Sequence, residues 1–277
     1  MTKQNLSTFI KNLYEIITAR PRVPPSLENN QLLNTILNRR SIRNFSDRDI
    51  PDDIFNAILE AGRVAPSTVN LQTWAFATFT DQTWKEFFGQ SIPFNGKRAV
   101  ITLGDTHRAK KVMDFFPHRP LVEYTLAVMN ASIATMNMNI AAEALGVTSV
   151  MLSETGRSGF LDAMYLKEKL SLPDGVFPLM TLVLGYPKSG YRAMPPKLPM
   201  DQICFTGKYK EADLGILKDW FSQMFTGYKA EHPFSSFDAQ LELYRSKIDQ
   251  AERDLHNMVL YRANQNEKVG KKTCQMR

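Results

Sequence analysis

Cysteine is nearly absent from this chain of 277 residues, which has only Cys204 and Cys274. The two lie far apart, no CxxC pair occurs, and no histidine stands near them at metal-ligand spacing. That argues against a disulfide framework or a structural zinc site and points to a reducing compartment, the cytoplasm. Long apolar runs are missing too. No segment has the length of a membrane span. Residues 1–20 read as an amphipathic helix with Phe9, Leu13, Ile16 and Ile17 on one side, without the unbroken apolar core of a signal peptide. Charge of one sign is only mildly in excess, 34 Lys+Arg against 28 Asp+Glu, a formal +6. The basic tail (Lys268, Lys271, Lys272, Arg277) has no aromatic residue between its charges, so nucleic-acid binding is not expected. His107, His118, His232 and His256 form no metal set. There is no repeat and no low-complexity stretch.

What the chain does have is 43% hydrophobic residues, enough to bury a full core. The Pro-rich residues 21–30 end the first helix. Leu32, Leu33, Ile36 and Leu37 predict a short helix, and residues 52–64 a second with Ile54, Ile58 and Ala61 inward. Residues 74–80 and 98–103 predict strands. Residues 123–145 predict a long Ala- and Met-rich helix stopped by Gly146, with Ala127, Ala131, Ala134, Ala141 and Ala144 packed closely inside the protein. Strands at 147–152 and 177–184 flank a short helix at 160–170. The last strand is apolar on both faces and belongs in the middle of a covered sheet. Interleaved strands and helices predict α+β or α/β. From Phe237, the positions Leu241, Tyr244, Ile248, Ala251, Leu255 and Met258 step by four and three, the seam of a helix that packs on another helix. That seam fits either the chain's own core or a clasp across a second subunit.

Four short segments carry donors. Arg39-Arg40-Ser41-Ile42-Arg43 combines guanidinium forks and a compact hydroxyl, the donor set an anionic phosphate needs. The loop from Ala65 to Trp74 offers Asn70 and Gln72, whose amides match a ring edge of alternating C=O and N–H. Ser153-Glu154-Thr155-Gly156 follows a strand and can offer backbone N–H groups. Arg192 and Lys197 can close over a phosphate. Each segment alone is equally a solvated turn.

Their order is more specific. Asn38-Arg39-Arg40-Ser41-Ile42-Arg43, then Ala-Pro-Ser-x-x-Asn-x-Gln-x-Trp, then Leu145-Gly146-Val147, then Leu184-Gly185-Tyr186-Pro187, resembles the nitroreductase-like flavoprotein family over residues 31–206. The resemblance implies an α+β nitroreductase-like fold with a central, mostly antiparallel sheet surrounded by helices. It also implies an intertwined homodimer with FMN at the interface. Residues 1–30 are then an N-terminal helix and link, 31–206 the FMN-binding domain, and 207–277 a helical extension. Carried over by position, Arg39 and Ser41 hold the phosphate and ribityl chain, with Arg40 in the same turn. Arg43 approaches N1 and O2 of the ring and tunes it. Asn70 and Gln72 meet the pyrimidine edge and ribityl hydroxyls, while Pro66, Ser67 and Thr68 come from the second subunit. Ser153, Glu154, Thr155 and Gly156 line the ring near N5 and O4, and Lys197 returns to the phosphate. Thr73 stands where the family often has Pro, and Pro195 where it often has a basic residue, a gap that Arg192 can fill.

The implied activity is a ping-pong oxidoreductase. NADH or NADPH donates electrons through FMN to a nitroaromatic, quinone or related acceptor, with no catalytic side chain of its own and no metal. The competing reading is a flavin-binding or flavin-processing protein of the same fold with a partner-binding helical tail. The charged stretch from Gly104 to Tyr124 names no acceptor.

Overall fold

The computed structural model describes residues 5–113, 119–153, 163–190 and 193–273, with the backbone alone for 261–273. Contacts divide the chain into two units. The smaller joins Met1–Glu28 to Tyr191–Arg245, and the larger joins Asn29–Gly190 to Ser246–Arg277. This division cuts the chain differently from the expected 1–30, 31–206 and 207–277. No helix among the described residues is long and apolar enough to cross a membrane.

The larger unit is built on one sheet. Its strands are β1 (Trp74–Thr80), β2 (Arg98–Asp105), β3 (Thr148–Leu152) and β4 (Val176–Gly185). Their spatial order is β1-β2-β4-β3, and every neighbouring pair is antiparallel. The apolar strand β4 lies inside, as its two-faced pattern predicts. Its Pro178 has no N–H for a ladder, and the register slips there: Thr102 faces Met180 while Leu103 faces Pro178.

Among the helices, α1 (Leu6–Thr18) opens the chain. Then come α2 (Gln31–Asn38), α3 (Asp52–Arg63), α4 (Asp81–Phe88) and the single turn α5 (His107–Lys110). The long α6 (Pro120–Ala144) and the short α7 (Ala163–Lys169) precede and follow β3. The short α8 (Met200–Ile203), α9 (Leu214–Glu231) and α10 (Phe237–Thr273) close the chain. The expected helices over 31–38 and 52–64 are present. α3 turns Phe55, Ile58 and Gly62 inward, whereas Ile54 and Ala61 are half-buried at the edge of that face. Helix α4 was not expected. It starts at a reciprocal cap between Thr80 and Thr83 and stops at Gly89, which has φ +71°.

Helix α6 crosses the sheet and starts three residues earlier than expected. Ala127, Ala131 and Ala134 are fully buried, and Ala142 rather than Ala141 or Ala144 completes the close-packed stripe. Helix and sheet approach closely at Gly104, where an added Cβ would stand 2.8 Å from Ala127 Cβ. Three buried polar side chains of α6 reach the sheet. The amide nitrogen of Asn130 donates to Thr73 Oγ1 at 2.8 Å, beside the start of β1. Thr135 donates to Thr102 Oγ1 of β2 at 2.9 Å, and Asn139 Oδ1 accepts from the hydroxyl of Ser149 on β3 at 2.9 Å.

Within the smaller unit, α1 lies on α9. The buried amide of Asn12 donates to Ser222 Oγ and Thr226 Oγ1 at 3.0 and 3.1 Å. Phe221, Phe225 and Tyr228 of α9 surround the ring of Phe237. The contact division falls inside α10. Beyond it, Val259 is buried in a cluster with Ala65, Trp74, Ala127 and Phe177. For that stretch of the seam the structure shows packing on the chain's own core. Tyr244 and Ile248, earlier in the seam, are exposed.

The contact at Gly104 sets a testable limit. Gly104→Ala forces a methyl group against the Ala127 methyl of α6. It should cost about 1–3 kcal/mol of stability, the usual penalty of overpacking. Denaturant unfolding measures this, and a midpoint equal to wild type would show that α6 can move away from the sheet.

Candidate functional site

Helix α2 ends at Asn38, and Arg39 is its C-cap. The chain then runs extended along the outer edge of β3, where Ser41 forms a parallel bridge with Ser149 and the N–H of Ile42 donates to Ser149 O at 3.0 Å. Ile42 is buried in the core. Side chains alternate in extended backbone, so Ser41 and Arg43 share the face opposite to Ile42. The three arginines are not equivalent. Arg40 Nη1 donates to the carbonyls of Leu37 and Arg39, both at 2.8 Å, and so satisfies the exposed end of α2. The side chains of Arg39 and Arg43 have no protein hydrogen bond or ion pair among the described residues. A half-buried and an exposed guanidinium thus keep their donors for a ligand.

The Leu184-Gly185-Tyr186-Pro187 signature holds this segment in place. Phe45 is fully buried against Gly185, where a Cβ would stand 2.7 Å from its ring. Ser46 N–H donates to Tyr186 O at 2.8 Å, and the Arg48 guanidinium lies 3.8 Å from the centre of the Tyr186 ring. Asp47 is held below the ordinary carboxylate range by a hydrogen bond from Asn95, then by the hydrogen bond and charge of Lys97. This anchoring is present above the ordinary carboxylate value and fades as pH falls through the lowered one.

The second expected segment is a strained loop before β1. Val69, Asn70 and Gln72 have φ of 43°, 57° and 48°, a left-handed conformation that non-glycine residues rarely adopt. For Val69, β-branched and exposed, the conformation is costly and gains no burial. Such strain persists only where the surroundings impose it. Here Ser67 Oγ accepts from Gln72 N–H at 3.0 Å. Asn130 Oδ1 accepts from the N–H and hydroxyl of Thr68 at 3.2 and 3.3 Å. Asn70 and Gln72 are both exposed, and their amides lie side by side at 3.4 Å. Pro66 is exposed at the loop's start.

The structure does not bring these two segments together within one chain. The loop enters β1 beside Gly104, at the Phe177 end of β4. Ser41 lies on the opposite edge of the sheet, beside Ser149, at the Leu184 end of β4. Four strand spacings in one direction and several residue rises in the other make a diagonal on the order of 30 Å. The expected grouping of Asn70 and Gln72 with Arg39, Ser41 and Arg43 of the same chain therefore does not occur. The tight loop geometry keeps Asn70 and Gln72 with Pro66, Ser67 and Thr68.

Ser153 is half-buried just past β3. Glu154, Thr155, Gly156 and Arg192 lie outside the described residues. Lys197 is exposed in the smaller unit. Two pairs of charges between Gly104 and Tyr124 are engaged internally among the described residues. Arg108 pairs with Asp105 at 2.5 Å and donates to Trp74 O at 2.7 Å. Lys110 pairs with the buried Glu123 of α6. Burial raises the Tyr124 phenol above its ordinary value, so it stays neutral. Its ring meets Phe177 edge-on at 5.2 Å. Reading the sequence missed Asn130, Asn139 and Ser149. The available signal was three asparagines, Asn130, Asn137 and Asn139, within a helix otherwise rich in Ala and Met.

Residues 36–186 match the nitroreductase family, more than half of the chain, and the protein belongs to that family. An Archaeoglobus fulgidus protein provisionally assigned as NADH dehydrogenase/NAD(P)H nitroreductase is 34% identical over 164 residues, covering 57% of this chain and 86% of that one. The FMN reductase [NAD(P)H] of Bacillus subtilis is 28% identical over 196 residues, covering 66% and 76%. Two solved structures share the fold. NfrA2 of B. megaterium superposes with a TM-score of 0.67 at 21% identity, over 83% of this chain and 98% of that one. The NADPH:FMN oxidoreductase of Vibrio harveyi, complexed with NAD+, gives 0.61 at 23% identity, over 79% and 98%.

The strain in the loop can be measured directly. Left-handed backbone costs an L-residue about 1–2 kcal/mol, and glycine's extra unfolded freedom returns roughly 0.5–1 kcal/mol of that. Val69→Gly should therefore leave stability unchanged or raise it by up to about 1 kcal/mol. Thermal unfolding of the flavin-free protein reads this. A loss larger than about 1 kcal/mol would show that the position is not strained.

Proposed function

We propose that this protein is an FMN-dependent NAD(P)H oxidoreductase in which each flavin is held between two copies of the chain. The observation that carries the reading is the diagonal separation of the two donor-bearing segments. FMN is too short to meet both within one chain, whereas a second copy can bring its loop to the first copy's arginines. A further observation supports that pairing. The face of α6 turned away from the sheet carries Val122, Leu126, Met129, Ile133, Met136 and Ile140, stepping by four and three. Val122, Met129 and Ile133 are exposed in the single chain. A helix that is apolar all round calls for cover on both sides, and this spacing is that of helix–helix contact.

The residues present fit an FMN. Arg39 and Ser41 would hold the phosphate through charged hydrogen bonds. Arg40 stands in the same turn, and its part is to close α2. Arg43 would place a fixed positive charge beside N1 and the C2 oxygen, favouring electron uptake there. Asn70 and Gln72 would meet the pyrimidine edge and ribityl hydroxyls with paired donors and acceptors. Pro66, Ser67 and Thr68 come with them on the same loop, and Ser153 to Gly156 would line the ring near N5 and O4. FMN, when bound, would supply the two-electron chemistry that passes hydride equivalents from NAD(P)H to a second substrate. A flat nitroaromatic or quinone suits that second role, because it can stack on the ring that the nicotinamide has left.

Two variants test this reading. Arg39→Ala removes charged hydrogen bonds of about 1.5–3 kcal/mol, so FMN should bind roughly ten- to a hundredfold more weakly while the fold survives. Arg40→Ala should instead lower the melting temperature and leave FMN affinity near wild type. Equal FMN affinity for Arg39→Ala and wild type would contradict the phosphate assignment.

The shared site is tested separately with Ile133→Glu, which puts a charge on the outer face of α6. The variant should sediment as a monomer at micromolar concentration and lose its flavin spectrum. A monomer that keeps FMN would place the whole site within one chain.

A further inference from the structure

We infer that Asn130, acting with Thr73, is the positioning residue of the Ser67–Gln72 loop. One buried amide of α6 bridges the loop's beginning and its end. Asn130 Oδ1 accepts from the N–H and hydroxyl of Thr68, and Nδ2 donates to Thr73 Oγ1. The orientation of the amide is fixed chemically, because the Thr68 N–H can only donate and must face the oxygen. Asn130 is 1% exposed and Thr73 fully buried. Water cannot easily take the place of either partner, so the latch holds as long as the core does.

The latch sits where it can impose the unusual backbone. Thr68 precedes, and Thr73 follows, the three residues with left-handed φ. The Thr73 carbonyl accepts from Asp105 N–H at 3.0 Å, which ties the same residue to the end of β2. The Gln72 N–H closes the loop internally on Ser67 Oγ. With both ends fixed at α6 and at the sheet, the strained segment between them cannot relax to extended backbone. Asn70 and Gln72 are thereby presented with their amides adjacent. A purely core-filling role would not require an amide here. A leucine of similar size would fill the space and leave the loop free to choose its conformation.

The inference rests on the proposed flavin reading for what the loop contacts, but the latch itself can be tested without flavin. Four proteins are compared: wild type, Thr73→Ser, Thr73→Val and Asn130→Leu. Amide hydrogen exchange is followed in flavin-free protein for residues 67–73 and, as an internal reference, 98–105. FMN affinity is then measured by flavin fluorescence on titration. Thr73→Ser keeps the acceptor and should match wild type in both measurements. Thr73→Val is isosteric and removes it. Loop exchange should accelerate at least tenfold with the β2 reference unchanged, and FMN should bind about tenfold more weakly. Asn130→Leu should do the same more strongly. If that variant fails to fold, Thr73→Val against Thr73→Ser decides alone. Loop exchange that stays at the wild-type rate in Thr73→Val overturns the latch. So does loop exchange that accelerates only together with the β2 reference. An unchanged FMN affinity in a loosened loop overturns its positioning role. A wild-type protein that takes up no FMN overturns the flavin reading instead, while the exchange arm still decides the latch.

Discussion

The fit of α6 against the sheet is the constraint from which the remaining geometry follows. A helix rich in Ala and Met could slide or rotate on an apolar sheet with little change in buried area. Asn130, Thr135 and Asn139 remove that freedom. Each is buried, and each finds its partner near a different strand: Thr73 at the head of β1, Thr102 in β2 and Ser149 in β3. Leaving one such group unpaired costs about 1–3 kcal/mol, so a one-residue slip would strand all three at once. Only this register sets Ala127 over Gly104, where neither residue has a side chain large enough to hold helix and sheet apart.

Two of these contacts reach the two halves of the proposed flavin site. Asn139 holds the side chain of Ser149, whose backbone receives the Ser41–Ile42 segment that carries Arg39 and Arg43. Asn130 holds the Ser67–Gln72 loop. One helix therefore fixes two half-sites at opposite corners of the sheet. Its outer face carries the apolar stripe through which two copies would meet. In the proposed dimer, inner polar register and outer apolar stripe lie on one rigid rod. The spacing between one chain's arginines and the other chain's loop would then be set by helix geometry rather than by flexible connections.

Much of this fold was legible because its strands have pure patterns. Trp74–Thr80 and the apolar run ending at Gly185 could be read as strands directly, and the latter's two apolar faces placed it inside the sheet. The long helix and its Gly146 stop were equally plain. Helix α4 was not, because Thr80 and Asp81 read as the end of a strand rather than as a cap followed by a first turn. The site was legible as a list of donors but not as an arrangement. Nothing local to Arg39-Arg40-Ser41 tells which guanidinium turns back on its own helix. That depends on where the carbonyls of Leu37 and Arg39 point once α2 ends. The diagonal between the two segments follows from strand order, a long-range property that no single motif carries. Thr73 was visible as a departure from the family's pattern, but its meaning required the partner, 57 residues away, on α6.

Loop strain and buried latch together bear on how tightly a flavin can be held. An unstrained loop with the same Asn and Gln side chains would sample many conformations and would have to be ordered on binding, which subtracts from affinity. Here the ordering is done during folding. The left-handed residues cost free energy, and the core that buries Asn130 and Thr73 offsets it. In the proposed site the loop would then meet its ligand with paired amides already in place. Binding strength there, at Asn70 and Gln72, would thus be coupled to the integrity of α6, far along the chain from any residue that would touch the flavin. Substitutions on the inner face of that helix should be expected to loosen the flavin before they unfold the protein, because the strained loop is the part of the structure most dependent on it.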